Sequence, residues 1–183
     1  MNLPNKLTIL RVILIPIFLI VLLVPFNIDE SIRRYIATVI FLGSAFTDFL
    51  DGYIARKYNL VTTFGKFMDP LADKLLVCSA MIALVGIDNA VVTLPSWVVI
   101  IIISREFIIT GFRTIAVEKQ VVIAASFWGK FKTVSQMAMI VALLLNIDNT
   151  ICKVLTVIFI TLSVILAIIS AVDYVYKNRK VLE

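Results

Sequence analysis

Four aspartates lie within 26 residues of an otherwise apolar chain, and they make up a third of its 12 acidic residues. Asp48 and Asp51 are three residues apart, and Asp69 and Asp73 are four apart, so each pair shares one face of a helix. Hydrophobic segments flank both pairs, which predicts carboxylates at the edge of a bilayer, where they are costly unless paired or bound to metal. Two such faces brought together would form an all-oxygen pocket for a hard divalent cation.

Each aspartate taken alone also has a structural interpretation. Asp69 precedes Pro70, which is the pattern of a helix N-cap followed by proline at the first helical position. The other three could form ion pairs with neighbouring cations such as Arg56 and Lys74. As a set, however, the four carboxylates would each need a separate ion-pair or hydrogen-bond partner in an apolar setting. The sequence therefore favours metal binding, which N-capping by Asp69 would not prevent.

The elements that must position these residues are long hydrophobic segments. The chain has 183 residues and is 61% apolar, whereas soluble domains are about 45–50% apolar. A membrane-spanning helix needs about 20 mostly apolar residues. The six predicted spans are Leu7–Phe26, Tyr35–Ala55, Asp73–Ile87, Leu94–Ala116, Thr133–Ile147 and Cys152–Tyr176. The third and fifth are short and are expected to extend through residues 69–73 and 129–132. We predict an all-α integral membrane protein with six transmembrane helices, in which residues 1–183 form a single domain.

The distribution of basic residues predicts the orientation of these spans. With the N-terminus inside, the inner segments hold 13 Lys and Arg residues and the outer loops hold 3. This bias places both termini and all four aspartates on the cytoplasmic side of the cell membrane. The net charge of +5 is clustered at the ends of hydrophobic spans, which is typical of a membrane surface and its lipids. We expect no nucleic-acid partner.

Small residues accompany the carboxylates. Gly52 follows Asp51 directly, Ala55 comes three residues after Gly52, and Gly65 lies four residues before Asp69. In membrane helices small residues allow close packing of backbones or close approach of a ligand. Helix packing alone would explain a single glycine. Because these small residues lie beside four carboxylates, we favour the hypothesis that they form a flat surface for a ligand such as a nucleotide.

The spacing of these residues resembles the complete signature of the CDP-alcohol phosphotransferases. The signature positions in this chain are Asp48, Asp51, Gly52, Ala55, Arg56, Gly65, Asp69 and Asp73. The resemblance implies a six-helix membrane fold, a homodimer, and two Mg²⁺ or Mn²⁺ ions held by the four aspartates. It also implies that CDP-diacylglycerol is bound by Asn5, Thr8, Asp48, Asp51, Gly52, Ala55, Arg56 and Gly65. For Asn5 a helix cap or turn beside Pro4 is an equal alternative. Arg11 is either part of this surface or a cation that extends to the lipid headgroups.

The general base must come from the few titratable groups available. The chain contains no histidine, which excludes the usual base and every Ser-His or Cys-His pair. Asp73 is the best candidate, and the family resemblance implies the same role. An aspartate near its ordinary pKa of about 3.9 is a weak base, so a raised pKa or metal assistance is expected.

The remaining polar segments resemble those of bacterial family members that transfer a phosphatidyl group from CDP-diacylglycerol to glycerol 3-phosphate and release CMP. Arg105 interrupts an apolar run, so it must face an anion or the protein interior. A phosphate needs several cationic donors. The predicted glycerol-phosphate ligands are Arg105, Arg113, Lys130 and Lys132. The alternative for Arg105 is a stabilising ion pair with Glu106.

Three other functions compete with this one. A family member could use another acceptor, namely inositol phosphate, serine or phosphatidylglycerol. An intramembrane prenyltransferase also binds a pyrophosphate through Mg²⁺ and aspartates, but the glycines, Ala55 and Arg56 at this spacing disfavour it. An ion transporter would use the carboxylates without nucleotide turnover.

Overall fold

The computed structural model describes residues 2–25, 27–58, 62–119 and 127–179, apart from the side chains of residues 3, 4, 49, 51, 53, 55, 56, 63, 64, 66, 67, 117 and 118. Within these ranges the chain forms six α-helices. They are α1 Leu3–Leu23, α2 Glu30–Lys57, α3 Thr63–Val85, α4 Ser96–Glu118, α5 Phe127–Leu145 and α6 Thr150–Asn178. The prediction of an all-α protein is confirmed for these ranges, and each predicted span overlaps one helix.

The helix starts follow ordinary capping chemistry. The side chains of Asp29, Thr62 and Asn149 accept backbone N–H bonds at the starts of α2, α3 and α6. Thr62 accepts from Gly65 N at 3.0 Å, so α3 begins about ten residues earlier than the apolar span that predicts it. Asn146 ends α5 with a φ of 46°, a left-handed conformation that asparagine tolerates at helix ends.

Two helices in the described part of the chain are long and apolar enough to cross a membrane, Asn5–Leu23 and Thr150–Asn178. Helices of this length and composition are typical of a membrane protein. The six-span arrangement and the cytoplasmic orientation stay predictions.

The chain divides into two compact units. One comprises Met1–Ala90 and Leu144–Asn146, and the other comprises Val91–Leu143 and Ile147–Glu183. The first unit therefore contains α1, α2 and α3, and the second contains α4, α6 and most of α5. The single-domain assignment of residues 1–183 stays a prediction.

The first unit is built on one buried face of α1. Ile15, Phe18 and Leu22 are at most 7% exposed, and their spacing of three or four residues is that of one helix face. The ring of Phe18 packs on Phe41 of α2 with centroids 6.0 Å apart. On α3, Leu76 and several neighbours complete this core. The apolar part of the face fixes the direction in which the polar residues nearer the start of α1 point.

In the second unit α4 packs along α6. Ile109, Phe112 and Ala116 of α4 form a buried cluster with Tyr174 of α6. The rings of Phe112 and Tyr174 meet edge to face, with centroids 5.8 Å apart. A hydrogen bond of 2.9 Å between the hydroxyls of Ser135 and Ser163 connects α5 to α6.

Candidate active site

The first half of the buried face of α1 is polar. Asn5, Thr8 and Arg11 are 8%, 0% and 0% exposed, and they continue the same helical face as Ile15 and Phe18. Buried polar groups need hydrogen-bond partners. The partners come from α2, from α3 and from the residue that caps α3.

Arg11 binds Asp48 of α2. Its Nη1 donates to Asp48 Oδ1 at 2.5 Å, and its Nε donates to the carbonyl of Ser44 at 3.3 Å. The Arg11 side chain is 0% exposed, whereas that of Asp48 is 40% exposed. The interpretation of Arg11 as a cation reaching the lipid headgroups is therefore wrong. Arg11 instead orients a carboxylate that remains accessible, and it balances the charge of that carboxylate.

Thr8 binds Asp69 of α3. The Thr8 hydroxyl donates to Asp69 Oδ1 at 2.6 Å. Like the bond from Arg11 to Asp48, this bond is made to Oδ1 of the carboxylate. It fixes the orientation of the Asp69 carboxylate, and Thr8 does not bind its second oxygen, Oδ2. Thr8 and Arg11 are one helical turn apart, so adjacent turns of α1 hold carboxylates from two different helices. Asp48 and Asp69 are therefore both oriented by side chains of α1.

Gly65 lies in a confined position beside Asp69. A Cβ added to Gly65 would be 3.3 Å from Asn5 Oδ1, 3.3 Å from Thr62 Oγ1 and 3.5 Å from Asp69 Oδ2. Thr62 Oγ1 also donates to Asn5 Oδ1 at 2.8 Å. Asn5 therefore helps to hold the capping residue of α3 from a position within α1. The alternative prediction, that Asn5 is a helix cap or turn residue, is wrong. Asn5 lies inside α1, which begins at Leu3 with Asn2 as its N-cap.

Asp69 does not cap a helix. It lies within α3 together with Pro70, and Thr62 is the N-cap, so the N-cap interpretation of Asp69 is wrong. Pro70 has no N–H for the carbonyl four residues earlier, so α3 tolerates one missing backbone bond next to the carboxylate. Asp73 is one turn further along the same helix and is half-buried.

The structure places two of the four aspartates predicted as metal ligands, Asp48 and Asp69, against adjacent turns of α1. The side chain of Asp51 lies outside the described residues. Among the side chains that are described, no group of three carboxylates or thiolates is placed to hold a metal ion. Convergence of all four aspartates stays a prediction. The same is true of the ligand roles of Ala55 and Arg56, whose side chains lie outside the described residues, and of Gly52, which is half-buried in α2.

The second unit contains a compact charged cluster. Arg105 Nη1 is 3.1 Å from Glu106 Oε1, and Lys132 Nζ of α5 binds the same oxygen. The three side chains are 7–16% exposed. Arg105 Nε also donates to the Ser170 hydroxyl of α6 at 3.2 Å. The alternative of an Arg105–Glu106 ion pair is confirmed, and one carboxylate shared by two cations leaves a net positive charge.

The other two predicted phosphate ligands lie apart from this cluster. Arg113 Nε donates to the Tyr174 hydroxyl at 3.2 Å, one turn along α6 from the residue that binds Arg105. Lys130 is exposed, and two residues along a helix turn it to a different face from Lys132. Two of the four predicted acceptor ligands, Arg105 and Lys132, therefore share one carboxylate, while Arg113 and Lys130 have other surroundings.

The sequence leaves two contributions unassigned. It leaves Arg11 open between the donor surface and a headgroup-binding cation, although the register of this residue with the apolar face of α1 indicates that it is buried. Lys132 was not predicted to share Glu106, because the two residues are 26 apart and on different helices. No local pattern connects them.

Comparison with known proteins agrees with the signature. The model of the CDP-alcohol phosphatidyltransferase family matches residues 1–169. The chain belongs to this family. Its relatives include proteins named CDP-diacylglycerol--glycerol-3-phosphate 3-phosphatidyltransferase from three organisms. The Bacillus subtilis protein is 50% identical over 153 residues, covering 79% of this chain and 77% of the relative. The Haemophilus influenzae protein is 41% identical over 176 residues, covering 94% and 91%, and that of Rickettsia felis is 43% identical over 145 residues, covering 79% and 76%.

The signature residues of this family, which lie between Asp48 and Asp73, belong to the first unit. They lie on α2 and α3, and α1 supplies the side chains that orient Asp48 and Asp69. The hydrogen bonds from Thr8 and Arg11 thus link the family signature to residues near the start of the chain that the signature does not include.

Proposed function

We propose that this chain transfers the phosphatidyl group of CDP-diacylglycerol to glycerol 3-phosphate, which gives phosphatidylglycerophosphate and CMP in phospholipid biosynthesis. The family membership and the names of the relatives support this reaction. The observation that carries the proposal is the pair of oriented carboxylates on α2 and α3, held by Arg11 and Thr8 on adjacent turns of α1.

The donor set fits a hard divalent cation. Carboxylate oxygens are the ligands that Mg²⁺ and Mn²⁺ prefer, and the oriented carboxylates of Asp48 on α2 and Asp69 on α3 supply such oxygens. We propose that Asp48, Asp51, Asp69 and Asp73 hold two such ions. When bound, a divalent cation neutralises charge on the pyrophosphate oxygens and on the departing CMP.

The transfer itself is a displacement at the lipid-linked phosphorus. A hydroxyl oxygen of glycerol 3-phosphate forms a bond to this phosphorus, and the bond from phosphorus to the bridging oxygen breaks, so that CMP leaves with the electron pair. Asp73 accepts the hydroxyl proton, because the chain has no histidine to do so. Arg11 and Thr8 prevent Asp48 and Asp69 from rotating, which lowers the cost of ordering the site at the moment of reaction.

The remaining donor contacts follow the signature. Asn5, Thr8, Gly52, Ala55, Arg56 and Gly65 are proposed to bind the nucleotide part of CDP-diacylglycerol together with Asp48 and Asp51. At Gly65, the crowding that a Cβ atom would meet supports a need for close approach at this position. An added methyl group would be crowded by two polar atoms, Asn5 Oδ1 and Thr62 Oγ1, each 3.3 Å away.

The acceptor is proposed to bind through Arg105, Arg113, Lys130 and Lys132. The shared Glu106 carboxylate supports this role for Arg105 and Lys132, because it keeps two cations close together against their mutual repulsion. A phosphate group brought to this cluster can accept from both cations. The basic character favours a phosphorylated acceptor over serine.

We further propose a multi-pass protein of the cell membrane that works as a homodimer, with its active site and both termini in the cytoplasm. The charge bias of 13 against 3 supports this orientation. Soluble cation and soluble glycerol 3-phosphate would then reach the carboxylates directly, while CDP-diacylglycerol arrives from the bilayer.

The test is CMP release from CDP-diacylglycerol by the purified full-length chain, with and without Mg²⁺. An acceptor panel of glycerol 3-phosphate, inositol phosphate, serine and phosphatidylglycerol is supplied in parallel, each radiolabelled. We expect CMP release that needs the cation and rises only with glycerol 3-phosphate. Asp148→Asn serves as a matched control for Asp→Asn variants, since the side chain of Asp148 is 75% exposed and pairs with Lys153. Preference for another acceptor would overturn the substrate assignment, and release of pyrophosphate or ion flux alone would overturn the reaction class.

A further inference from the structure

Two hydroxyl groups of α6 hold the two arginines of α4. The Ser170 hydroxyl accepts a hydrogen bond from Arg105 Nε at 3.2 Å, and the Tyr174 hydroxyl accepts one from Arg113 Nε at 3.2 Å. Ser170 and Tyr174 are four residues apart, so they lie on the same face of α6, about one turn from each other. One face of α6 therefore sets the direction of both guanidinium groups.

Both hydroxyl groups are themselves fixed by the surrounding protein. Ser170 is buried, and its hydroxyl donates to the carbonyl of Ala167 at 3.0 Å, so the oxygen presents its lone pairs to Arg105. Tyr174 is also buried, and its ring packs edge to face on Phe112. The two acceptor atoms are thus in place before any ligand arrives, which is the condition for a preorganised site.

The partners that α6 supplies are uncharged. A carboxylate would cancel the charge of an arginine, whereas a hydroxyl fixes the direction of the guanidinium group and leaves its charge in place. In the described part of the chain, Arg113 contacts the hydroxyl and the ring of Tyr174, and neither is charged. Arg105 shares Glu106 with Lys132, so its cluster also keeps a net positive charge. Both arginines therefore remain attractive to an anion.

A ligand can reach the guanidinium groups from outside the helices. Arg113 is exposed, and the side chain of Arg105 is 10% exposed. Because α6 binds Arg113 through Nε, the edge formed by Nη1 and Nη2 faces away from this bond. That edge matches two oxygens of a phosphate group.

The packing of α4 on α6 does not depend on the two hydroxyl groups. Ile109, Phe112 and Ala116 of α4 form a buried apolar cluster with the ring of Tyr174. A phenylalanine at position 174 would keep this ring and its edge-to-face contact, and it would lose only the bond to Arg113. The hydroxyl of Tyr174 thus adds direction to an arginine more than it adds cohesion to the two helices.

We propose that Ser170 and Tyr174 are positioning residues of the acceptor site, which orient Arg105 and Arg113 toward the phosphate group of the acceptor without reducing their charge. This inference rests on the proposed function, in which the two arginines bind glycerol 3-phosphate. It adds two uncharged residues of α6 to a site whose other proposed members are cations of α4 and α5.

The experiment measures CMP release by the purified full-length chain and gives kcat and KM for each substrate separately. Ser170→Ala and Tyr174→Phe each remove one hydroxyl group. We expect each to raise KM for glycerol 3-phosphate by about three- to tenfold, the range for one lost hydrogen bond. The KM for CDP-diacylglycerol should stay at the wild-type value. Ser170→Thr, which keeps the hydroxyl, should have a KM for glycerol 3-phosphate closer to the wild type than that of Ser170→Ala.

Two residues of α6 provide matched controls. Ser163 is buried and its hydroxyl bonds to Ser135 of α5 instead of an arginine, so Ser163→Ala removes a buried bond between helices without touching the acceptor arginines. Tyr176 is exposed, and Tyr176→Phe removes a phenol hydroxyl outside the buried face. Both variants should have the wild-type KM for glycerol 3-phosphate.

Double-mutant cycles show whether each hydroxyl acts through its arginine. Tyr174→Phe should change KM for glycerol 3-phosphate by less than about twofold in the Arg113→Ala background, and Ser170→Ala should do the same in the Arg105→Gln background. A hydroxyl that served only to join the helices would lower the thermal unfolding temperature and leave KM for glycerol 3-phosphate at its wild-type value.

Wild-type KM for glycerol 3-phosphate in folded Ser170→Ala or Tyr174→Phe would overturn the inference for that residue, while acceptor transfer by the wild type would leave the proposed function intact. Equal increases in the KM values of both substrates, or an undiminished effect in the arginine backgrounds, would also overturn it. A wild type that releases no CMP with any phosphorylated acceptor would overturn the proposed function and the inference together. Thermal unfolding checks each variant, and if one does not fold, the other decides the outcome.

Discussion

Replacing Arg11 by lysine separates the charge of this side chain from its geometry. Arg11 donates from Nη1 to Asp48 Oδ1 at 2.5 Å and from Nε to the Ser44 carbonyl at 3.3 Å. An ammonium group keeps the charge but is a single point and cannot reproduce both bonds. The loss of one hydrogen bond to a charged group costs about 1.5–3 kcal/mol. At about 1.4 kcal/mol per tenfold, this corresponds to a fall in kcat/KM of roughly 10- to 150-fold.

The solvent exposure of Asp48, the partner of Arg11, determines where in this range the fall in kcat/KM should lie. The Asp48 side chain is 40% exposed, so water compensates for part of the lost interaction. We therefore expect Arg11→Lys to lower kcat/KM for CDP-diacylglycerol by about tenfold, the lower end of the hydrogen-bond range. Arg179→Lys is the control, because Arg179 is exposed and lies over the ring of Tyr176.

The assay is CMP release at varied CDP-diacylglycerol in mixed micelles, with saturating glycerol 3-phosphate and Mg²⁺. A double-mutant cycle with Asp48→Asn shows whether Arg11 acts through this carboxylate. In the Asp48→Asn background, Arg11→Lys should change the residual rate by clearly less than in the wild type, since the amide of Asn removes the charge that strengthens this hydrogen bond. Wild-type kcat/KM in Arg11→Lys, or an undiminished effect in the Asp48→Asn background, would refute the positioning role.

Four further outcomes are expected. Asp73→Asn should retain CDP-diacylglycerol binding by calorimetry and lose about 10²–10⁴-fold in turnover, as removal of a general base does; unchanged turnover would exclude Asp73 as the base. Arg113→Ala should raise KM for glycerol 3-phosphate without weakening donor binding in the same assays, and a selective loss of donor affinity would contradict its acceptor role. Gly65→Ala should weaken CDP binding several-fold in a calorimetric titration, because its Cβ would be crowded by polar groups at 3.3 Å; wild-type affinity would show that the crowding is relieved without cost. Finally, the hydrogen bonds from Arg34 hold the pKa of Glu30 below its ordinary value. Glu30 therefore adds stability in full above the unfolded-chain pKa of about 4.3, and this is lost as pH falls through the lower folded-state pKa, so the thermal unfolding temperatures of wild type and Glu30→Gln in detergent should converge on acidification.

The helices were predictable because each rests on a continuous apolar segment. The start of α3 was not, because residues 63–68 mix polar and apolar types without a continuous apolar run, and Thr62, not Asp69, provides the cap. The dipeptide Asp69-Pro70 has the composition of a helix start, yet it lies in a helix interior. Local pattern alone cannot separate these two cases, since the cap is decided by which hydroxyl reaches the first free N–H groups.

The site residues divide in the same way. The aspartate signature identifies carboxylates by spacing alone, which is local information. The partners of Asp48 and Asp69 come from α1, 37 and 61 residues away, and no periodicity indicates which cation or hydroxyl they meet. Arg11 resembles a headgroup-binding cation in sequence because it follows apolar residues near a helix end. Only its register with the buried face of α1 indicates that it points inward.

Manganese titration followed by electron paramagnetic resonance is the most direct test of a cation site built by α2 and α3 together. With CDP present, the wild type and Asp148→Asn should bind Mn²⁺ with the same affinity. Asp48→Asn and Asp69→Asn should each weaken the bound-Mn²⁺ signal by at least tenfold, although the two residues belong to different helices. Mn²⁺ binding that is the same in all four proteins would contradict the account.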